Sequence, residues 1–287
     1  MFETYFDASG SGRESGEGPH PAPILVVAGY LAHVDEWRSL EGDWKLLLDR
    51  KGLRCFDMAQ FANLEGPYAT WARTEREEFI QSLLATIKRW AGVRIAWAIE
   101  IDDWRNRSQL LKAFTLCSLA CISSVSAWAK TCGYEKKILH IFGAGDEGWP
   151  DLGTAFRPED FEAYGILHPT IQEKRDVVPL QAARILAHQT GTGRDKRRLE
   201  GDIAPYLDEL HQTRGISSML NRELLNWPED VIRIAELEGS PLWGIPETPQ
   251  ENIIAVNLMG AKSYTMRIPK PLHLMFAARK IKGIEAP

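Results

Sequence analysis

The spacing of hydrophobic residues along the chain predicts strands alternating with amphipathic helices. Residues 3–7 alternate in polarity and residues 24–30 form an apolar run, so they predict a hairpin with a long connection rich in Gly, Ser and Pro. In residues 35–49 and 75–90 the apolar side chains recur at steps of three and four, which is typical of helices. Each of these helices is therefore expected to cover another element.

The middle of the chain has the pattern of a crossover unit. Residues 93–101 and 137–142 are apolar enough to be strands buried on both faces, and residues 108–130 predict a long, mostly buried helix between them. A strand, a helix and a strand in this order predict a parallel strand pair. A further helix over residues 178–189 is opened by Pro179. The fold class predicted by these elements is α/β.

Length and proline content set the expected domain organisation. A chain of 287 residues can bury a substantial core in one elaborated domain. We expect an α/β domain over residues 1–200, followed by a helical and loop extension over residues 201–287 that packs on it. Repeated prolines divide the second segment into short pieces, so it predicts no long element.

Composition narrows the class of protein and its compartment. Hydrophobic residues make up 44% of the chain and charged residues 25%, which is typical of a globular protein. We expect no secretory signal, because residues 1–10 lead straight into a strand-like segment. The most apolar window, residues 110–128, contains Lys112 and several Ser and Thr residues, which suits a helix buried in protein. The four cysteines lack zinc-binding spacing, so they predict reduced thiols. We therefore expect a cytoplasmic protein with no membrane partner.

Net charge limits how the chain could meet nucleic acid. The formal net charge is −5, so the chain as a whole is not drawn to a polyanion. Any contact with nucleic acid is expected to come from a local basic patch.

Acidic residues stand at or just beyond the ends of the predicted strands, where open α/β sheets bind their ligands. They are Asp7, Glu100 with Asp102 and Asp103, and Asp146 with Glu147. Such carboxylates could hold Mg²⁺ or Mn²⁺ and activate a water for phosphodiester cleavage. The alternative is that they solvate strand ends and cap the following helices.

Short motifs in a fixed order carry a resemblance to a known family. They are Tyr5-Phe6-Asp7-Ala8-Ser9-Gly10, Gly29-Tyr30 followed by a Trp37 helix, Gly145-Asp146-Glu147-Gly148, and Pro179-Leu180-Gln181-Ala182-Ala183. In these motifs residues 3–190 resemble the domain of unknown function 3800 family. The resemblance implies a ribonuclease H-like mixed sheet flanked by helices, and a metal-dependent nuclease with Asp7 and Asp146 as metal ligands.

Three departures from the family pattern bear on that implication. Ala8 stands where the family tends to have Glu, and Asp57 stands where it often has His. Arg184 replaces the Asp of the family's Gln-x-Ala-Asp helix. A guanidinium cannot ligate a cation, so we expect Arg184 to face Asp7 and Asp146 and to form charge-assisted contacts that occupy the metal site.

His188 could compensate for the missing ligand. It lies four residues after Arg184 and hence on the same helix face, where a neutral imidazole could be a third metal ligand. Glu100 and Glu147 are the other candidate catalytic carboxylates. The alternative for His188 is a solvent-facing or hydrogen-bonded helix residue.

A basic run follows the last predicted helix and a Gly-Thr-Gly sequence. Its cations are Arg194, Lys196, Arg197 and Arg198. Together with Arg184 they are candidates for contacts with nucleic-acid phosphates, although such a run can equally be a solvated face.

These observations leave two functions open. The first is a metal-dependent nuclease or phosphodiesterase of ribonuclease H-like fold, using Mg²⁺ or Mn²⁺ and impaired to some degree by Arg184. The second is a catalytically inactive protein of the same fold that binds nucleic acid or protein, within a bacterial defence or toxin system. A protein partner or a homodimer is compatible with either, and the sequence does not choose between DNA, RNA and nucleotides.

Overall fold

The computed structural model describes residues 1–10, 24–101, 113–145, 167–192, 215–220, 253–256 and 264–267. Within these ranges the main sheet has six strands in the order β5-β4-β1-β2-β3-β6. The strands are β1 (Phe2–Ser9), β2 (Ile24–His33), β3 (Val93–Glu100), β4 (Leu139–Gly143), β5 (Thr170–Gln172) and β6 (Gly215–Leu220). Strand β2 is antiparallel to both of its neighbours, and the remaining pairs are parallel. The sheet is therefore mixed, with β2 running against the other five strands.

Helices cover both faces of this sheet. They are α1 (Val34–Arg50), α2 (Met58–Asn63), α3 (Arg73–Trp90), α4 (Ala113–Thr131) and α5 (Val178–Thr192), with a 3-10 turn at Gly66–Tyr68. Helix α4 packs on one face, while α1, α2, α3 and α5 share a core with the other face. Among the described residues, no helix combines the length and apolar character needed to cross a membrane. These layers give the α/β class that the sequence predicts.

The first hairpin and the helix after it form for local reasons. Strand β2 is buried at nearly every position because helices cover it on both sides. Helix α1 begins with a capping box, in which the side chain of His33 accepts from the first turn and Glu36 accepts from the His33 backbone amide. Trp37 and Trp44 lie on its buried stripe. The hairpin, the helix and their order are confirmed.

The predicted pairing of the crossover strands is wrong. Strands β3 and β4 run in the same direction, but β1 and β2 lie between them in the sheet. Helix α4 packs over β2 and β3, and the chain then returns on the far side of β1. Because β1 already pairs with β2 on one edge, its other edge is the one that accepts β4.

The segment after residue 200 also differs from the expectation of helices and loops. Strand β6 joins the main sheet beside β3, and β7 (Ile253–Val256) pairs antiparallel with β8 (Tyr264–Arg267). These strands are short and lack a sustained alternating pattern, which explains why the sequence does not predict them. The expected helices of this segment fall outside the described residues.

Candidate functional site

The candidate site lies at the carboxyl ends of the parallel strands of the main sheet. Strand β1 reaches this edge with Asp7, whose side chain is completely buried. Helix α5 packs across β1 and β2 on the face that Asp7 shares. The fold therefore places a buried carboxylate between the sheet and a helix, at the edge where α/β proteins bind ligands.

Lys174 is the first cation at this carboxylate. Its Nζ lies 2.6 Å from Oδ1 of Asp7, and its side chain is 27% exposed. Lys174 belongs to the turn between β5 and α5, and β5 comes close to β1 through its parallel pairing with β4. The ion pair thus depends on the order of the strands and not on nearness in the sequence.

Arg184 is the second cation. Its Nη1 donates a hydrogen bond to the carbonyl of Ala8 and lies 3.5 Å from Oδ2 of Asp7. The expected contact between Arg184 and Asp7 is therefore present. The Arg184 side chain remains 30% exposed. Among the described residues, none accepts a hydrogen bond from its Nε or Nη2.

Gly143 makes room for the contact between Asp7 and Lys174. It ends β4, and a Cβ built on it would lie 2.7 Å from Oδ1 of Asp7 and 2.7 Å from Cε of Lys174. Both distances are shorter than side chains tolerate. A residue without a side chain is therefore required at this position for the ion pair to keep its geometry.

Gln181 holds the elements of the site together. Its buried Oε1 accepts from the indole of Trp44 at 3.1 Å and from the Phe56 amide at 2.9 Å. Its Nε2 donates to the carbonyl of Arg175, next to Lys174. The glutamine of the family-like motif is thus a structural link between α5, α1 and the turn after β5.

His188 lies one helical turn beyond Arg184 and is largely buried. Burial, and secondly the positive charge of Arg184, lower the pKa of His188 to about 4. Its imidazole is therefore neutral near pH 7. No described arrangement brings it into a group of ligands with Asp7.

Glu100 is not part of the cluster around Asp7. Its side chain is exposed at the end of β3. Asp7 pairs with Ala28, which pairs with Ala96, so Glu100 lies two strands away and four residues further along. At typical strand spacings this separates the two Cα atoms by roughly 16 Å.

The remaining predicted site residues lie outside the described residues. They are Asp102, Asp103, Asp146, Glu147, Arg194, Lys196, Arg197 and Arg198. Their proposed roles stay predictions.

The metal ligands predicted from the sequence lie only partly within the described residues, which hold Asp7 and His188 but not Asp146. Within the described ranges, no group of three or more His, Cys, Asp or Glu side chains could hold a metal ion. Each oxygen of Asp7 already faces a cationic side chain, Lys174 on one side and Arg184 on the other. Among the described residues, two cationic side chains thus face this one carboxylate.

Lys174 is the functional residue that sequence reasoning missed. It stands in the sequence Glu173-Lys174-Arg175-Asp176, which has the composition of an ordinary solvated turn. No pattern in the sequence links this turn to Asp7, because the two are 167 residues apart in the chain.

Comparison with known proteins adds no further constraint. No protein-family model, curated protein sequence or solved structure matches the chain. The resemblance to the domain of unknown function 3800 family therefore stays a prediction based on short motifs.

Proposed function

We propose that this chain is a nucleic-acid-binding protein of ribonuclease H-like fold that holds its ligand without cleaving it. The observation that carries the proposal is the anchored guanidinium of Arg184. The mixed sheet, with helices on both faces, is compatible with that fold. The proposal extends to the ligand class and not to a particular sequence or to a choice between DNA and RNA.

Arg184 has the geometry of a preorganised phosphate contact. Its Nη1 is fixed by the Ala8 carbonyl and the Asp7 carboxylate, while Nε and Nη2 have no acceptor among the described residues. The planar guanidinium fork matches two phosphate oxygens, and an anchored fork loses less conformational entropy when it binds. A phosphodiester at the strand ends is thus a fitting ligand.

The charges elsewhere in the sequence agree with a nucleic-acid contact that is confined to one part of the protein. The basic run of Arg194, Lys196, Arg197 and Arg198 begins shortly after α5 ends, so it could extend the contact along a nucleic-acid backbone. Because the net charge is −5, the rest of the surface would not add general attraction. We therefore expect binding of moderate affinity with a shallow salt dependence.

Absence of cleavage follows from what surrounds Asp7. Two-metal hydrolysis needs carboxylates that are free to ligate, and Asp7 is instead in contact with Lys174 and close to Arg184. Metal-dependent cleavage, which the family resemblance implies, would require both cations to move away. The experiment must therefore distinguish binding without cleavage from metal-dependent cleavage.

The test is binding of labelled single- and double-stranded DNA and RNA, measured by fluorescence anisotropy with EDTA and then with Mn²⁺. We expect binding in EDTA, no cleavage with Mn²⁺, and an affinity lowered about tenfold by Arg184→Gln. Arg38→Gln is the control, because Arg38 is an exposed arginine of α1, near the opposite edge of the sheet. It should bind as the wild type does.

Two results would overturn the proposal. Mn²⁺-dependent cleavage that disappears in Asp7→Asn would establish the nuclease instead. A wild type that binds none of the probes at low salt would remove nucleic acid as the ligand.

A further inference from the structure

The ammonium of Lys174 already lies beside one of the two carboxylate oxygens of Asp7. The separation of 2.6 Å between Nζ and Oδ1 is that of a close ion pair. A divalent ion on the same oxygen would sit about 2.0 to 2.2 Å from it, and thus within a few ångströms of the ammonium. The two cations would therefore repel each other, and Lys174 would weaken the binding of a divalent ion at this oxygen.

The surroundings are shaped for this contact. Gly143 leaves the space through which the aliphatic chain of Lys174 reaches Asp7. The hydrogen bond from Gln181 to the Arg175 carbonyl fixes the backbone one residue away from Lys174. Asp7 is completely buried, and a buried carboxylate without a countercharge is strongly destabilising. Three independent features therefore support one ion pair.

We propose that Lys174 is the resident cation of the candidate site, a tethered ammonium that takes the place of a divalent ion beside Asp7. It follows that the Arg184 substitution is not the main obstacle to metal binding. Restoring the missing carboxylate at position 184 leaves the ammonium on Asp7. This inference goes beyond the proposed function, and it holds whether or not the chain binds nucleic acid.

In the first test the folded protein reacts with an amine-specific acylating reagent. Mass spectrometry then gives the rate at which each lysine is modified. Lys174 should react several-fold more slowly than the exposed Lys45, and Asp7→Asn should raise its reactivity several-fold. Lys51 is a matched control, because it forms a 2.8 Å pair with Glu75 and is 30% exposed, close to the 27% of Lys174. Asp7→Asn should leave the reactivity of Lys51 unchanged.

Gly143→Ala gives the same test without changing any charge. The added methyl group would collide with Asp7 and Lys174, so it should raise the reactivity of Lys174 and not that of Lys51. This variant also serves if Asp7→Asn fails to fold. Wild-type protein in which Lys174 reacts as fast as Lys45 would overturn the proposal.

The second test compares Mn²⁺ binding by Arg184→Asp and by the double variant Arg184→Asp/Lys174→Ala, from the Mn²⁺-dependent rise in melting temperature. The double variant should bind Mn²⁺ more tightly by about tenfold or more, because like charges a few ångströms apart repel strongly in a partly buried site. Adding Asp7→Asn should abolish the rise. Equal Mn²⁺ binding by the single and double variants, or none by a folded double variant, would contradict the proposal.

Failure of the proposed nucleic-acid binding and failure of the Lys174 proposal would give different results. Failure of the oligonucleotide-binding experiment would leave lysine reactivity and Mn²⁺ binding as described, since neither measurement involves nucleic acid. Conversely, a reactive Lys174 would leave the phosphate contact of Arg184 intact.

Discussion

The side chain of Gln181 donates a hydrogen bond to the carbonyl of Arg175 across 3.1 Å. Through this contact the helix that carries Arg184 is joined to the turn that carries Lys174. The two cations of the site therefore come from elements that one glutamine holds in register. Displacing that side chain should disturb both stability and the site.

Gln181→Met should lower the free energy of unfolding by about 2 to 5 kcal/mol, because the Trp44 indole and the Phe56 amide would lose their buried acceptor. It should also raise the reactivity of Lys174, which a purely local packing defect would not do. Urea unfolding and lysine acylation measure the two effects. Gln172→Met, at an exposed strand end, is the control and should change stability by less than about 0.5 kcal/mol.

Asp7→Asn should destabilise the fold by about 2 to 4 kcal/mol, because it removes a buried negative charge that faces two partly buried cations. Asp176→Asn is the matched control in the turn of Lys174. Asp176 is 68% exposed and lies 3.9 Å from an even more exposed Arg54, so its loss should cost less than about 0.5 kcal/mol. Equal stabilities of the two variants in chemical denaturation would show that the Asp7 cluster contributes little.

Two glycines should respond to alanine in opposite directions. A Cβ on Gly29 would lie 1.8 Å from the Tyr5 carbonyl oxygen, so Gly29→Ala should separate β1 from β2 and cost about 4 kcal/mol or more. Gly42 lies exposed within α1, and a Cβ there meets no atom within 4 Å. Gly42→Ala should therefore stabilise the protein by up to about 1 kcal/mol, through its higher helix propensity. Thermal unfolding of both variants checks the pair.

Removing Arg184's charge should raise the pKa of His188. That charge is the second cause of the low value of about 4, so Arg184→Met should move the pKa upward while burial keeps it below the ordinary 6.5. The NMR shift of the imidazole Cε1 proton, followed through a pH titration, gives the value directly. An unchanged pKa would mean that the Arg184 charge does not reach His188.

The same low pKa makes stability depend on pH. An unfolded histidine is protonated below about 6.5, whereas His188 stays neutral in the fold down to about 4. The unfolded state therefore binds the extra proton between these values, and stability that is fully present above 6.5 falls as pH drops towards 4. His188→Gln should reduce this loss by up to about 1.4 kcal/mol per pH unit, measured by urea unfolding at about pH 7 and about pH 5.

The sequence predicts those parts of the fold that depend on local pattern. Strand β2 and helix α1 follow directly from an apolar run and from apolar spacing, because each buries a stripe fixed by its own residues. The pairing of β4 with β1 is not local. The partner of β4 is the strand that still has an unpaired edge after α4 has crossed the sheet. No residue of β3 or β4 by itself specifies which strand that is.

The candidate site is predicted only in part for the same reason. The sequence predicts Asp7 because it ends a segment of alternating polarity. It predicts Arg184 because this residue replaces the Asp of a family motif. Lys174 follows a strand of three residues with exposed ends, which carries no periodic signal. Its role comes from a chain of pairings, β5 on β4 and β4 on β1, that only the assembled sheet provides.

The central position of β1 also sets an order of events during protein synthesis. Thr4 contacts His140 of β4, 136 residues later in the chain. At typical elongation rates, roughly 10 to 30 seconds pass between the translation of these two residues. Throughout that interval a nascent β1–β2 hairpin has an unpaired edge beside a charged, uncompensated Asp7, because β4 and Lys174 do not yet exist. An unpaired strand edge promotes aggregation, so protection of the ribosome-bound chain should raise the folding yield.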